Sequence, residues 1–99
     1  MAPALDPDRW RDLPGWELVE PGLADLTAGR ATIPALLVSI GASRIEAAGL
    51  AVGAVLADPE TTLYQLLAAH DPDSAHGRYN ALIRRLVSFE RAAEACATR

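Results

Sequence analysis

The chain has 99 residues, enough for one folded domain over 1–99 and too few for a second core of ordinary size. The formal net charge is −4 and all nine basic residues are arginine, a balance that disfavours a broad surface for nucleic acid or anionic membrane. Alanine and leucine, with 20 and 14 copies, favour helices, and β-branched and aromatic residues are scarce, so the composition predicts an all-α fold.

Aspartate–proline pairs mark three predicted helix starts, at Asp6-Pro7, Asp58-Pro59 and Asp71-Pro72. In each pair the side chain of the aspartate can cap the first turn of a helix. The proline has no amide hydrogen, but the first turn of a helix has no partner for that hydrogen, so nothing is lost. The pairs therefore predict helices over 7–13, 59–69 and 72–97.

The segment 20–41 is predicted to hold two short helices. Glu20-Pro21 begins the first, and Gly29 supplies the left-handed residue that ends it. Thr32 caps the second helix, which ends at Gly41. Its apolar residues have the spacing of a one-faced amphipathic helix: Ile33, Leu36, Leu37 and Ile40.

The segment that follows is predicted to add one helical turn and a loop. Ser43 and Glu46 have the spacing of a capping box, and Gly49 stops the turn that they begin. We interpret residues 49–57 as a loop, because a lone strand would have no partner in this chain.

Helix 72–97 carries the most regular pattern in the chain. Its apolar residues recur every three or four positions: Tyr79, Leu82, Leu86, Phe89, Ala93 and Cys96. This spacing predicts a helix packed lengthwise on another, and Ile83 and Val87 widen the stripe in favour of a bundle core. A short turn joins it to helix 59–69 in an antiparallel α-hairpin. The predicted fold is a small bundle of five or six helices.

The sequence contains no recognised motif for catalysis, a cofactor or a metal. Two histidines and two aspartates between 70 and 76 lack metal-ligand spacing, so we interpret them as caps and a solvated turn. The serines and the lone Cys96 stand in no nucleophile motif. We expect no enzyme activity, no cofactor and no metal. We also expect a soluble, cytoplasmic protein, because no apolar leader or spanning run is visible.

Five residues are candidates for contact with a partner: Trp10, Trp16, Arg84, Arg85 and Arg91. The arginines can bind carboxylates through paired hydrogen bonds, and Arg84 and Arg91 share one helix face. A tryptophan would supply an apolar anchor, with a polar rim of nearby acids: Asp6, Asp8, Asp12 and Glu17. In the alternative interpretation, the tryptophans fasten the N-terminal segment to the bundle.

These observations favour a helical protein–protein interaction module, either homo-oligomeric or bound to a cognate protein. The small size, the acidic N-terminal half and the missing active-site motif resemble accessory or neutralising proteins such as antitoxins, in general character and through no shared motif. A small DNA-binding transcriptional regulator that uses helix 72–97 is the alternative. An unrecognised enzyme is the third hypothesis.

Overall fold

A computed structural model describes residues 8–97 of the chain, and the side chains of residues 10–96. Six helices follow one another: α1 (Asp8–Arg11), α2 (Trp16–Thr27), α3 (Ile33–Ile40), α4 (Ala42–Ala47), α5 (Pro59–His70) and α6 (Ala75–Ala97). Residues 8–97 contain no strand, which confirms the predicted all-α bundle. The predicted cap at Asp6 lies outside the described residues.

The most enclosed helix is α3. Its residues 35–39 are buried without interruption, and it packs against α2, α4, α5 and α6. The prediction of a one-faced amphipathic helix is therefore wrong, because neighbouring helices cover α3 on several sides. Only its ends, including Ile33 and Ile40, are half-buried.

A buried serine on α3 holds the loop that precedes α5. Ser39 Oγ donates a hydrogen bond to the carbonyl of Ala35 (2.9 Å) and accepts one from the amide of Leu56 (3.0 Å). Residues 50–58 form neither helix nor strand, so the interpretation of this segment as a loop is confirmed. The serine satisfies one backbone amide of the loop where water is excluded.

Close packing of α2 on α3 depends on a glycine. A Cβ added at Gly22 would lie 2.4 Å from the carbonyl oxygen of Pro34 and 2.6 Å from Val38 Cγ2. Both distances are shorter than any ordinary contact, and the oxygen belongs to the backbone. The two helix backbones can approach this closely only where a side chain is absent.

Gly22→Ala is expected to lower the free energy of unfolding by about 1–3 kcal/mol, because α2 and α3 must separate to admit a methyl group. Urea denaturation measures the change. The matched control is Gly77→Ala in α6, where nothing lies within 4 Å of an added Cβ. Alanine favours the helix there and should stabilise it by up to about 1 kcal/mol. Equal effects of the two substitutions would show that Gly22 is not a contact point.

Two glycines end helices in the way that the sequence predicts. Gly29 has φ +76° and Gly49 has φ +111°, both in the left-handed region. In each case the amide of the next residue bonds to the carbonyl five positions back, at 2.8 and 3.2 Å. These bonds satisfy carbonyls that the ends of α2 and α4 would otherwise leave unpaired.

The starts of α2 and α4 differ from the prediction. Helix α2 begins at Trp16, after a turn in which Gly15 has φ +85°, and Pro21 lies inside the helix. Helix α4 follows α3 with only Gly41 between them, so Ser43 lies within α4 and forms no capping box. Both predictions relied on residues that resemble helix caps. In the structure the preceding turn sets the start of α2, and the preceding helix sets the start of α4.

Two aspartates predicted to cap helices do not do so. Asp58 has a left-handed backbone (φ 46°), and its side chain makes no capping hydrogen bond to α5. The carboxylate of Asp71 accepts from the amide of Asp73 (3.2 Å) in a local turn. That turn uses residues 71–74, so α6 begins at Ala75 and not at 72.

The apolar stripe of α6 is confirmed in its centre. Leu86, Phe89 and Ala93 are buried, whereas Tyr79 and Leu82 are only half-buried. Tyr79 lies beside Tyr64 of α5, with ring centroids 5.7 Å apart, where the two helices form the predicted α-hairpin. The hairpin end of α6 is therefore more open to solvent than its middle.

Candidate functional site

The structure places both tryptophans in the core. Trp10 is 1% exposed and Trp16 is 8% exposed. Their ring centroids lie 6.4 and 5.9 Å from that of Phe89 on α6. This packing agrees with the alternative interpretation, in which the tryptophans fasten the N-terminal segment to the bundle. Neither tryptophan is exposed enough to serve as an apolar anchor for a partner, so neither belongs to the candidate site.

The three candidate arginines have different surroundings. Arg85 pairs with Glu17 of α2, so one predicted contact residue binds an acid of the predicted rim. Arg84 and Arg91 are exposed on α6, and neither forms an ion pair within the described chain. Of the three candidates, these two guanidinium groups remain for an outside carboxylate. Arg85 is therefore not part of the candidate contact surface formed by Arg84 and Arg91.

Two apolar side chains lie on the same side of α6 as the two arginines. Ile83 and Val87 are four residues apart and half-buried, and Arg84 and Arg91 lie three before and four after Val87. Such spacings put side chains on one helix face. We call these four residues the α6 outer face. It combines partly exposed apolar surface with two unpaired cations.

A groove of about 270 Å³ runs between α6 and the corner where α3 meets α4. Ile40, Gly41 and Arg44 line one wall, and Ile83, Val87 and Glu90 line the other. We call it the Glu90 groove. It adjoins the α6 outer face, since Ile83 and Val87 belong to both.

Glu90 is the unusual group in this groove. Its side chain is only 6% exposed, and its nearest cation is Nη1 of Arg44, 4.0 Å from Oε1. No hydrogen-bond donor reaches it within the described chain. Burial raises the pKa of Glu90, Arg44 opposes that rise, and the charge of Glu94 adds to it. The carboxylate has lost most of its contact with water and has none of the donors that usually compensate, although its edge still meets solvent in the groove.

The position of the Glu90 carboxylate explains why residue 41 is a glycine. A Cβ added at Gly41 would lie 2.4 Å from Glu90 Oε2 and 3.1 Å from Leu86 Cδ1. The carboxylate therefore rests against the backbone where α3 joins α4. A larger residue at this corner would displace either the carboxylate or the leucine.

The raised pKa of Glu90 predicts a pH dependence. Above about pH 4.3, where an unfolded glutamate ionises, the folded chain holds the proton more tightly than the unfolded chain does. The contribution of Glu90 to the free energy of unfolding therefore falls as the pH rises through the pKa that Glu90 has in the folded chain. Urea denaturation between pH 4 and 8, at a concentration low enough for the chain to be a monomer, should show a stability difference between Glu90→Gln and the native chain that grows with pH in favour of the variant.

The pKa of Asp25 is shifted in the opposite direction to that of Glu90. Asp25 is present in both the native chain and the Glu90→Gln variant. Hydrogen bonds from Thr32 and Arg30 lower its pKa, so its contribution is lost on acidification. Comparing the native chain with Glu90→Gln cancels that contribution. A pH-independent difference between the two would show that Glu90 titrates normally.

The segment from 70 to 76 is an exposed turn. His70, Asp71, Asp73 and His76 are exposed, and His76 Nε2 lies 3.2 Å from the side-chain nitrogen Nδ2 of Asn80. Between residues 8 and 97, no group of three or more metal-ligating side chains is close enough to hold an ion.

Two further pockets lie along α5. One, of about 310 Å³, lies between Leu66 and Arg78, and the other, of about 460 Å³, lies between Tyr64 and Tyr79. Burial raises the pKa of Tyr79, and the charge of Glu60 raises it further. Both pockets are lined mainly by exposed side chains, whereas Glu90 is almost fully buried. The Glu90 groove with the α6 outer face is therefore the strongest candidate site in the described chain.

The sequence contains a signal for the position of Glu90, although its charge is typical of a surface residue. Glu90 stands four residues after Leu86 and three before Ala93, so helical spacing places it beside the buried stripe.

Comparison with known proteins adds no relative. No protein-family model matches the chain, and searches of curated proteins and of solved structures found no match. No helix within residues 8–97 is both long enough and apolar enough to cross a membrane. The fold defines a small all-α helical bundle.

Proposed function

We propose that this chain is a cytoplasmic protein–protein interaction module that binds through the α6 outer face. The observation that carries the proposal is the pair of exposed arginines, Arg84 and Arg91, which have no ion-pair partner within the described chain and lie beside Ile83 and Val87. Apolar area in the centre with charges beside it is the usual composition of a protein contact surface.

The chemistry of the two cations favours carboxylates on the partner. A guanidinium group binds a carboxylate through two parallel hydrogen bonds, a geometry that an ammonium group cannot match. The apolar stems of Arg84 and Arg91 can extend over Ile83 and Val87 and exclude water from the contact. Direct pairing of this kind is worth more than an exposed ion pair, because the surrounding apolar surface reduces screening.

Nucleic acid is a weaker candidate for this surface. Arg85 is neutralised by Glu17, the acidic Glu94 is exposed on the same helix, and the whole chain carries a charge of −4. Proteins that bind phosphate backbones usually present a continuous basic patch. The regulator hypothesis therefore has less support than contact with a protein.

The test is the double substitution Arg84→Glu with Arg91→Glu. Neither side chain is buried, so the free energy of unfolding should change by less than about 1 kcal/mol. Association with the partner should weaken at least tenfold, on the order of 1.4 kcal/mol, because two attractive contacts become repulsive. Light scattering gives the mass of the purified protein, and mass spectrometry identifies whatever co-purifies from native lysate.

A control with the same change of total charge separates local contact from long-range repulsion. Arg11→Glu with Arg78→Glu also reverses two exposed arginines, but these lie outside the α6 outer face. The control should assemble as the native chain does. Identical assembly by the test variant would place the contact elsewhere. Submicromolar, sequence-dependent binding of duplex DNA at physiological salt would instead favour the regulator.

A further inference from the structure

We propose that the partner of this surface is a second copy of the chain, and that Arg84 of each copy binds Glu90 of the other. This inference rests on the proposed function of the α6 outer face and adds the identity of the partner. Its elements are the buried carboxylate, the groove that exposes its edge, and the positions of Arg84 and Glu90 along α6.

Glu90 has no hydrogen-bond donor among the described residues of its own chain. A carboxylate buried this deeply is costly unless hydrogen bonds replace the lost water. Arg44 stays 4.0 Å away with 64% of its side chain exposed, too far for a hydrogen bond. The described residues supply no other cation, so the groove leaves a place for an incoming donor.

The walls of the groove match an arginine side chain. Ile83 and Val87 offer apolar surface at its opening, and the carboxylate lies at its inner wall. An arginine can place its aliphatic stem on the apolar walls while its planar group makes paired hydrogen bonds with the carboxylate. The chain contains arginine and no lysine, so a second copy would bring the suitable cation.

An antiparallel pair of α6 helices can place Arg84 opposite Glu90, whereas Arg91 would lie opposite Ile83. When two copies of a helix pack antiparallel about a two-fold axis at Val87, the residue three positions before it faces the residue three positions after it. Arg84 thus faces Glu90 of the second copy, and Asn80, seven positions before, faces Glu94. Symmetry repeats each contact, as in other two-fold dimers. An unrelated acidic partner would pair with Arg84 but leave Glu90 without a donor.

The location of the axis also favours this arrangement. Val87 is one residue from the middle of α6, which runs from Ala75 to Ala97 and is about 35 Å long. An axis at this point lets the two helices overlap along almost their whole length. Val87 is half-buried in one copy and would be covered by its equivalent in the other.

The experiment is a double-mutant cycle on the purified full chain. Sedimentation equilibrium measures the dimer dissociation constant of the native chain, of Arg84→Gln, of Glu90→Gln and of the two together. Each single substitution should weaken the dimer about tenfold. The double variant should be no more than about threefold weaker than either single variant, because both remove the same contact. Circular dichroism confirms that each variant remains folded.

A cysteine cross-link tests the axis directly. In a Cys96→Ser background, Val87→Cys should form a disulfide-linked dimer under mild oxidation, because the two equivalent residues face each other. Ser88→Cys in the same background is the control, since Ser88 is exposed on a neighbouring part of the helix surface. A linked dimer that forms equally with both variants, or only with Ser88→Cys, overturns the proposed axis.

The outcomes separate this inference from the function that it extends. A monomeric mass for the native chain at its highest soluble concentration overturns the second copy as the partner. Additive effects in the mutant cycle overturn the Arg84–Glu90 contact. If a monomeric chain still co-purifies with a different protein, and the Arg84→Glu with Arg91→Glu variant loses it, only the second-copy inference fails and the interaction module stands.

Discussion

Replacement of Phe89 by alanine is expected to lower the free energy of unfolding by about 3–5 kcal/mol. Phe89 is fully buried, and its ring is in contact with both Trp10 and Trp16. Its truncation leaves a cavity and removes two aromatic contacts that hold the N-terminal segment on α6. Domains of this size have about 5–15 kcal/mol of stability, so the loss is a large fraction of the total.

Urea denaturation measures the loss, and tryptophan fluorescence reports its cause. The emission of the folded variant should shift to the red, because both indole rings lose their packing and approach water. Tyr64→Ala is the matched aromatic control: Tyr64 is 39% exposed, and its one ring contact is with Tyr79. It should cost less than about 1 kcal/mol. A similar loss in both variants would contradict the central position of Phe89.

The fold class could be predicted because each helix carries its own signal. The stripe containing Leu86, Phe89 and Ala93 depends on residues three or four apart, so local spacing alone identifies its buried side. The glycines that end α2 and α4 are equally local signals, since glycine adopts the left-handed backbone found at both ends. These features require no knowledge of what packs nearby.

Other features of the fold could not be predicted because they depend on packing between distant segments. Helix α3 has a one-sided pattern in sequence but is covered on several sides, because four other helices meet it. Gly22 lies inside α2 and carries no sequence signal for the backbone of Pro34, which approaches it in space. The spacing of apolar residues along one helix does not indicate how many other helices pack against it.

The candidate site was only partly predictable for the same reason. Arg84 and Arg91 were identified as a shared face from spacing, but the pairing of Arg85 with Glu17 joins two helices far apart in sequence. The depth of Glu90 depends on Gly41 at the corner of α3 and α4. Spacing could place Glu90 beside the stripe, but only the fold reveals that it lacks a hydrogen-bond donor.

Leu86→Ala is expected to cost about 2–5 kcal/mol of unfolding free energy. Leu86 is 4% exposed, and it lines the Glu90 groove while its methyl groups pack against Gly41. Its truncation opens a cavity between α6 and the corner of α3 and α4. Urea denaturation measures the effect, and a loss below about 1 kcal/mol would mean that the α6 stripe is not enclosed here.

Leu66→Ala is the matched control, since the same atoms are removed from a side chain that is 42% exposed on α5, and it should cost less than about 1 kcal/mol. A second effect belongs to Leu86 alone. Water admitted behind the carboxylate would relieve the burial that raises the pKa of Glu90 and move that pKa towards its ordinary value. The stability difference caused by Glu90→Gln should therefore depend less on pH in the Leu86→Ala background than in the native one. An unchanged pH dependence would mean that Leu86 does not control the solvation of Glu90, even if its stability cost is as large as expected.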